Sequence, residues 1–182
     1  HDTSLAVYQL GARFPLPCGD AKAMIVGSLY DWEDYEALGA AANSWNRNTR
    51  VINVLAKVKF NACGLPWQVY ADWVHNNQEN DQTADFENAN DGYAMGVKVG
   101  KNKKKGDWSV GYQYKYIEAN ATPGVIIDAD FGGTNRKGHV LKTGYNLTDF
   151  LTLGANAFFV EPVTSSGDQD DMILQCDLVW KF

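Results

Sequence analysis

Apolar and polar residues alternate with a period of two along most of the chain, and turn residues interrupt this alternation at regular intervals. In one of the clearest segments Trp67, Val69 and Trp73 alternate with Gln68 and Asp72. This period predicts β-strands with one apolar and one polar face, and each segment has about the ten residues that a tilted strand needs to cross a bilayer. The predicted strands are residues 5–14, 22–32, 50–61, 66–76, 92–101, 107–118, 138–147, 150–160 and 172–182.

The connections between these segments alternate between short and long. Short turns are expected at residues 17–20, 64–65, 102–106 and 148–149, and long polar loops at 33–49, 77–91, 119–137 and 161–171. Outer-membrane barrels have this arrangement, with tight periplasmic turns and extended extracellular loops. The sequence therefore predicts an all-β fold, an antiparallel transmembrane up-and-down β-barrel that forms a single domain over residues 1–182.

The number of predicted strands, nine, is odd. If the short turns are periplasmic, the last strand runs inward and the first strand starts on the extracellular side. Bacterial single-chain barrels have an even number of strands. We therefore expect at least one further strand upstream, so that the chain is the C-terminal portion of a larger even-stranded barrel.

The composition excludes several other classes. Hydrophobic residues make up 45% and charged residues 21%, which disfavours disorder, and the net charge of -6 argues against a nucleic-acid partner. The Cys18, Cys63 and Cys176 thiols form no C-x-x-C pair. Cys18 and Cys63 lie at neighbouring short turns, where a disulfide and two separate thiols both remain open. Cys176 is expected on the apolar face.

Several motifs carry a family resemblance. The run GDWSVGYQY at 106–114, the run DADFGGTN at 128–135 and the terminal LVWKF at 178–182 resemble the "putative porin" family of Gram-negative bacteria. The resemblance extends from about residue 50 to the end. It implies an outer-membrane barrel with more strands than are present here and a C-terminal aromatic, Phe182, read by the barrel assembly machinery. It implies no catalytic residues.

The polar face of the predicted sheet is expected to line the lumen. Its cations outnumber its acids, although the whole chain is acidic, because most carboxylates fall in the loops. We therefore predict a basic lumen wall that prefers anionic solutes. The alternatives are that these lysines pair with carboxylates on absent strands, or that they simply line a wall in contact with water. The predicted lumen-lining residues are Arg13, Asn53, Lys57, Lys59, Gln68, Asp72, Lys98, Gln113, Lys115, Lys142, Asn156, Asp177 and Lys181.

Aromatic side chains near the strand ends are expected at the membrane interfaces, where amphipathic rings concentrate. These are Trp32, Trp67, Trp108, Tyr116, Trp180 and Phe182. The alternative for them is an ordinary sheet core. Residues 119–137 are the candidate for a loop that packs inward, because Val125, Ile126 and Ile127 are apolar for an exposed loop; a position flat on the rim, or against a partner, remains open.

These patterns predict a porin-type channel for passive diffusion of small hydrophilic solutes or ions, in the bacterial outer membrane. The expected partners are the lipid bilayer, the solutes and the barrel assembly machinery, with self-association left open and no nucleic acid. We predict no enzyme activity, no cofactor and no metal site, because His1, His75 and His139 have neither metal-ligand nor nucleophile spacing. Two alternatives remain: a small structural or adhesive barrel without an open pore, and a soluble lipocalin-like ligand-binding barrel.

Overall fold

The computed structural model describes residues 4–17, 19–33, 49–77, 88–164 and 169–181, and these residues form nine antiparallel β-strands. Each strand lies within about two residues of a predicted segment, so the prediction of nine strands is confirmed. The strands are β1 (Ser4–Pro15), β2 (Lys22–Glu33), β3 (Thr49–Ala62), β4 (Leu65–Asn76), β5 (Asp91–Gly100), β6 (Trp108–Ile117), β7 (Arg136–Asn146), β8 (Leu151–Pro162) and β9 (Asp171–Trp180).

All nine strands belong to one sheet, in which each strand pairs with its neighbours in sequence. The order β1 to β9 is the predicted up-and-down arrangement, so the antiparallel all-β fold is confirmed. Within the described part of the chain β1 and β9 are edge strands, and the sheet does not close on itself.

Loop length alternates between the two ends of the sheet. Residues 16–21, 63–64, 101–107 and 147–150 make the short connections, which we call the short-turn rim. At the opposite end, which we call the long-loop rim, the strand ends are joined by the longer connections 34–48, 77–90, 118–135 and 163–170. The predicted alternation is confirmed. The connection at 118–135 contains two single turns of 3-10 helix, Gly124–Ile126 and Ala129–Phe131, which the periodicity did not predict.

The strand register places most of the apolar residues of β3 to β9 on one face. In β4, Trp73 pairs with Val54 of β3 and Tyr93 of β5, and because pairing partners point the same way, the face continues across the sheet. We call it the apolar face. Its central members are well exposed: Trp73 is 41%, Met95 51% and Phe159 45% accessible. The opposite face, which carries most of the strand lysines, we call the lysine face.

The buried core of the described residues lies on the lysine face beside the long-loop rim. Phe131, from the connection 118–135, packs with Val140, Phe158 and Val160, and Ile117 lies against this group. Phe131 is fully buried, whereas Ile126 is 53% exposed. The connection therefore packs against the lysine face through Phe131, whereas Ile126 stays exposed.

One aromatic lies elsewhere than predicted. Trp32 was expected at a membrane interface on the apolar face. In the register it pairs with Leu5 and Thr49 on the lysine face, and it is only 7% exposed. The prediction was wrong because the alternation of β2 is irregular, and nearness to a strand end does not say which face a side chain takes. Among the described residues no helix is long and apolar enough to span a membrane.

Candidate functional site

The residues predicted to line a lumen all share the lysine face. The strand register connects them without a break from Arg13 in β1 to Asp177 in β9. Lys181 continues this face beyond the end of β9, where its Nζ donates to the backbone oxygen of Asn102 at 3.4 Å. A common face is the geometry that a lumen wall requires. That it lines a lumen stays a prediction.

One row of this face is polar from β2 to β9. Each of its residues pairs directly with the next one across the hydrogen-bonded strands, and none of them is acidic. We call it the lysine row. It consists of Lys22, Lys59, Gln68, Lys98, Gly111, Lys142, Asn156 and Gln175.

From β2 to β9 the lysine row moves away from the short-turn rim. Lys22 is the first residue of β2, at the short-turn rim. Gln175 lies at the middle of β9, between Asp171 and Trp180. The row therefore starts at one rim and reaches the middle of the sheet, because successive strands are staggered.

The lysines of this row have no ion-pair partner among the described residues. Cations near the long-loop rim do have partners: Arg50 bonds Asp31 at 3.0 Å, and Lys137 lies 3.4 Å from Glu161. Lys98 and Lys142 are exposed. The row thus presents positive charge that the described part of the chain does not neutralise.

Gly111 in the lysine row and Gly96 beside the row differ in what lies above them. A Cβ on Gly96 would meet the Tyr70 ring at 2.6 Å, because that ring crosses β5 and its hydroxyl donates to Gln113 Oε1 at 2.5 Å. A Cβ on Gly111 would meet its nearest atom, the Val97 backbone oxygen, only at 3.8 Å. The space above Gly96 is filled, and the space above Gly111 is open.

This open space belongs to a recess of about 360 Å³ on the lysine face. Lys98 and Lys142 flank it on either side of Gly111, with Gln68, Gln113 and Asn156 around them. Asp177 also lines it, and the Asn156 side-chain amide donates to Asp177 Oδ2 at 3.0 Å. Its volume falls in the range of small-molecule sites.

Nearer the long-loop rim, the connection 118–135 covers the lysine face. The Lys115 ammonium lies 4.8 Å from the centre of the Phe131 ring, and that of Lys142 lies 5.8 Å from the Phe158 ring. Such distances suit cation–π contacts. The loop is tied down at both ends. Glu118 accepts from the Asp91 backbone N–H at 2.8 Å, and the Asn135 side chain exchanges two hydrogen bonds with the Thr164 backbone.

The predicted interfacial aromatics Trp67, Trp108, Tyr116 and Trp180 all lie on the apolar face. Trp108 and Trp180 are strand-terminal residues, and Trp67 and Tyr116 are within two residues of a strand end. Phe182 lies outside the described residues. Placement at an interface remains a prediction for all of them.

The described cysteines lie outside the recess on the lysine face. Cys63 and Cys176 are exposed free thiols, so Cys63 follows the alternative of separate thiols, and Cys18 lies outside the described residues. Cys176 pairs with Ala155 on the apolar face, as expected. The described residues contain no cluster of three or more His, Cys, Asp or Glu side chains that could hold a metal ion.

Sequence reasoning did not single out Lys22, Gly111 or Phe131. The irregular alternation of β2 concealed the face of Lys22. The importance of Gly111 depends on Lys98 and Lys142 being its direct neighbours, which only the register shows. For Phe131, the available signal was a lone aromatic in a loop rich in Asp and Gly.

The fold and this face define an all-β antiparallel protein in which one face is apolar and exposed and the other is polar and basic. Residues 48–182 match the model of the family described as "Putative porin". Because the match covers most of the sequence, the chain belongs to this family, as its motifs indicated. Comparisons with curated proteins and with solved structures found no match.

Proposed function

We propose that the sheet is part of the wall of a closed β-barrel in the bacterial outer membrane, and that this barrel is a passive channel for small hydrophilic solutes with a preference for anions. In hydrocarbon an unpaired backbone N–H or C=O costs several kcal/mol, so a sheet spans a bilayer only when it closes. The edges β1 and β9 are therefore paired in the membrane, with each other or with further strands.

The observation that carries this proposal is the separation of the two faces over nine strands. Trp73, Met95 and Phe159 lie in the interior of the sheet, yet they remain 41–51% exposed. Contiguous exposed apolar surface on this scale marks contact with a membrane or a partner. A lipid bilayer satisfies this face, and the lysine face then turns to a water-filled lumen.

The predicted anion preference follows from the charge of that lumen wall. The lysine row contains no carboxylate and four ammonium groups that have no ion-pair partner among the described residues. In a barrel whose strands tilt by about 40°, a row perpendicular to the strands rises by about 3 Å per strand, or roughly 20 Å from β2 to β9. The row would thus follow a helical path through much of the membrane thickness and attract anions along it.

The remaining expectations belong to the same proposal. The apolar face contacts lipid, with Trp67, Trp108, Tyr116 and Trp180 at the interfaces. The barrel assembly machinery recognises Phe182, and further copies of the chain are candidate neighbours. The protein carries out no catalysis, needs no cofactor and binds no nucleic acid.

The test is the single-channel current of the full-length protein in planar bilayers across a KCl gradient. The proposal expects discrete conductance steps and a reversal potential displaced toward the chloride equilibrium potential. A displacement toward the potassium potential would remove the anion preference but keep the channel. A protein that inserts, shows heat-modifiable mobility and carries no current would be a structural barrel closed by its own loops. A protein that stays soluble without detergent would be a lipocalin-like barrel.

A further inference from the structure

We propose that the recess over Gly111 is a binding subsite for a small oxyanion, a carboxylate or a phosphate group, held between Lys98 and Lys142. The inference rests on the proposed channel, because it takes the lysine face as a wall in contact with water and solute. It goes further than a general anion preference, because it assigns a saturable site to particular residues.

The register fixes the geometry of this subsite. Lys98 pairs with Gly111, and Gly111 pairs with Lys142. The two lysines are therefore two strands apart, about 9.5 Å between their backbones. A lysine side chain can span about half of this gap, so both ammonium groups can reach one anion above the glycine. Neither has an ion-pair partner among the described residues, so binding an anion breaks no existing pair.

Because Gly111 has no side chain, an anion can enter the gap between the two lysines. Any larger residue would place its side chain between the two lysines. The neighbouring Gly96 shows the alternative arrangement, since the Tyr70 ring occupies the equivalent space there. No described atom lies within 3.8 Å of a Cβ placed on Gly111. The structure thus keeps a recess open at the one place in the row where two lysines flank a residue without a side chain.

The other groups around the recess are suited to an oxyanion. Gln68 and Gln113 offer side-chain amide donors, and the Tyr70 hydroxyl holds Gln113 by its Oε1, which leaves its NH₂ group free to donate. Asp177 lines the recess at the end nearer the short-turn rim, and its carboxylate accepts a hydrogen bond from the Asn156 side chain. The carboxylate therefore repels an anion from that end and favours a position between Lys98 and Lys142.

Binding can be measured without conductance. We would titrate the full-length protein in detergent with inorganic phosphate and, separately, with succinate, by isothermal titration calorimetry. The proposal expects saturable binding of at least one probe, weakened about tenfold or more by Lys142→Gln, because a charge-assisted hydrogen bond is lost. Gly111→Val should weaken it comparably while keeping both lysines. If only one probe binds, it identifies the oxyanion.

The matched control is Gly27→Val. Gly27 lies on the apolar face of β2, and a Cβ there meets nothing within 4 Å, so this variant adds the same side chain away from the recess. It should bind as the unaltered protein does. Lys137→Gln is the charge control, since Lys137 lies on the apolar face with Glu161 as its partner.

The outcomes separate the two proposals. Absence of saturable binding for both probes, or equal affinity in Gly111→Val, Lys142→Gln and Gly27→Val, would overturn the subsite. In bilayers, the same probes should reduce the chloride current of the unaltered protein at lower concentrations than they do for Gly111→Val. Binding in detergent without any bilayer current would keep the subsite and reject the channel.

Discussion

The lysine face consists of two regions formed by the same strands, one of which is open and the other filled by packed side chains. Along the lysine row, the cations have no ion-pair partner among the described residues, and the space over Gly111 is open. Toward the long-loop rim, Phe131 fills the same face and packs with Phe158 and Val140. The filled region makes the contacts that stabilise a fold. The open region leaves like charges unneutralised, which contributes nothing to stability and is therefore more readily explained by a role in recognition.

The largest difference is expected from Phe131→Ala. Phe131 is fully buried, and removing a buried Phe side chain typically costs about 3–5 kcal/mol. We expect a large loss of stability in urea unfolding followed by gel mobility, together with higher conductance as the loop leaves the lysine face. Phe159→Ala is the control, because Phe159 is 45% exposed on the apolar face. Equal losses in the two variants would contradict a packed loop.

Glycine substitutions compare the two regions directly. A Cβ on Gly138 would lie 2.1 Å from the backbone oxygen of Phe159, so Gly138→Ala forces the backbones of β7 and β8 apart. We expect a cost of about 1–3 kcal/mol, as for other overpacked sites. Gly111→Ala should cost much less, since its Cβ has room. Both are measured by urea midpoint, and equal midpoints would mean that the close approach at Gly138 relaxes freely.

Charge removal in the open region should change selectivity without changing stability. Lys59→Gln removes one cation of the lysine row, and we expect the reversal potential in a KCl gradient to move toward zero. Lys103→Gln, in an exposed turn, is the matched control. A similar displacement in both variants would show that total charge matters and the row does not. The free energy of unfolding of Lys59→Gln in urea should stay within about 0.5 kcal/mol of that of the unaltered protein.

The smallest effect concerns the short-turn rim. The backbone N–H groups of Lys103 and Lys104 donate to Asp107 and lower the pKa of its carboxyl below the usual 3.8. As the pH falls, the Asp107 carboxyl therefore becomes protonated in the unfolded chain at a higher pH than in the folded chain. The stabilisation that these hydrogen bonds provide is present above about pH 4 and is lost as the pH falls through the lowered pKa. Asp107→Asn should lose slightly less stability than the unaltered protein between about pH 6 and pH 2.5. If the stability of the two proteins fell in parallel as the pH was lowered, this prediction would be wrong.

The predictability from sequence differed between these regions. The period of two placed β4, β6, β8 and β9 and the face of every predicted lumen residue, because alternation is a local property. The sequence could not show that Lys98, Gly111 and Lys142 are neighbours, because their alignment depends on the register of β6 with β5 and with β7. It also could not choose Phe131 as the loop anchor, because loop packing depends on the cavity that Val140 and Phe158 leave.

The spacing between the strands sets how the charges of the lysine row interact in salt. Lys59 and Lys98, like Lys98 and Lys142, are two strands apart, about 9.5 Å between their backbones. At physiological ionic strength the Debye length is about 8 Å, so each ammonium group is only partly screened from the next. In dilute salt the ammonium groups of the row attract an anion together. In concentrated salt each ammonium group acts on its own, because ions screen it from its neighbours. A channel built this way loses discrimination as the medium becomes saltier, with no movement of its backbone.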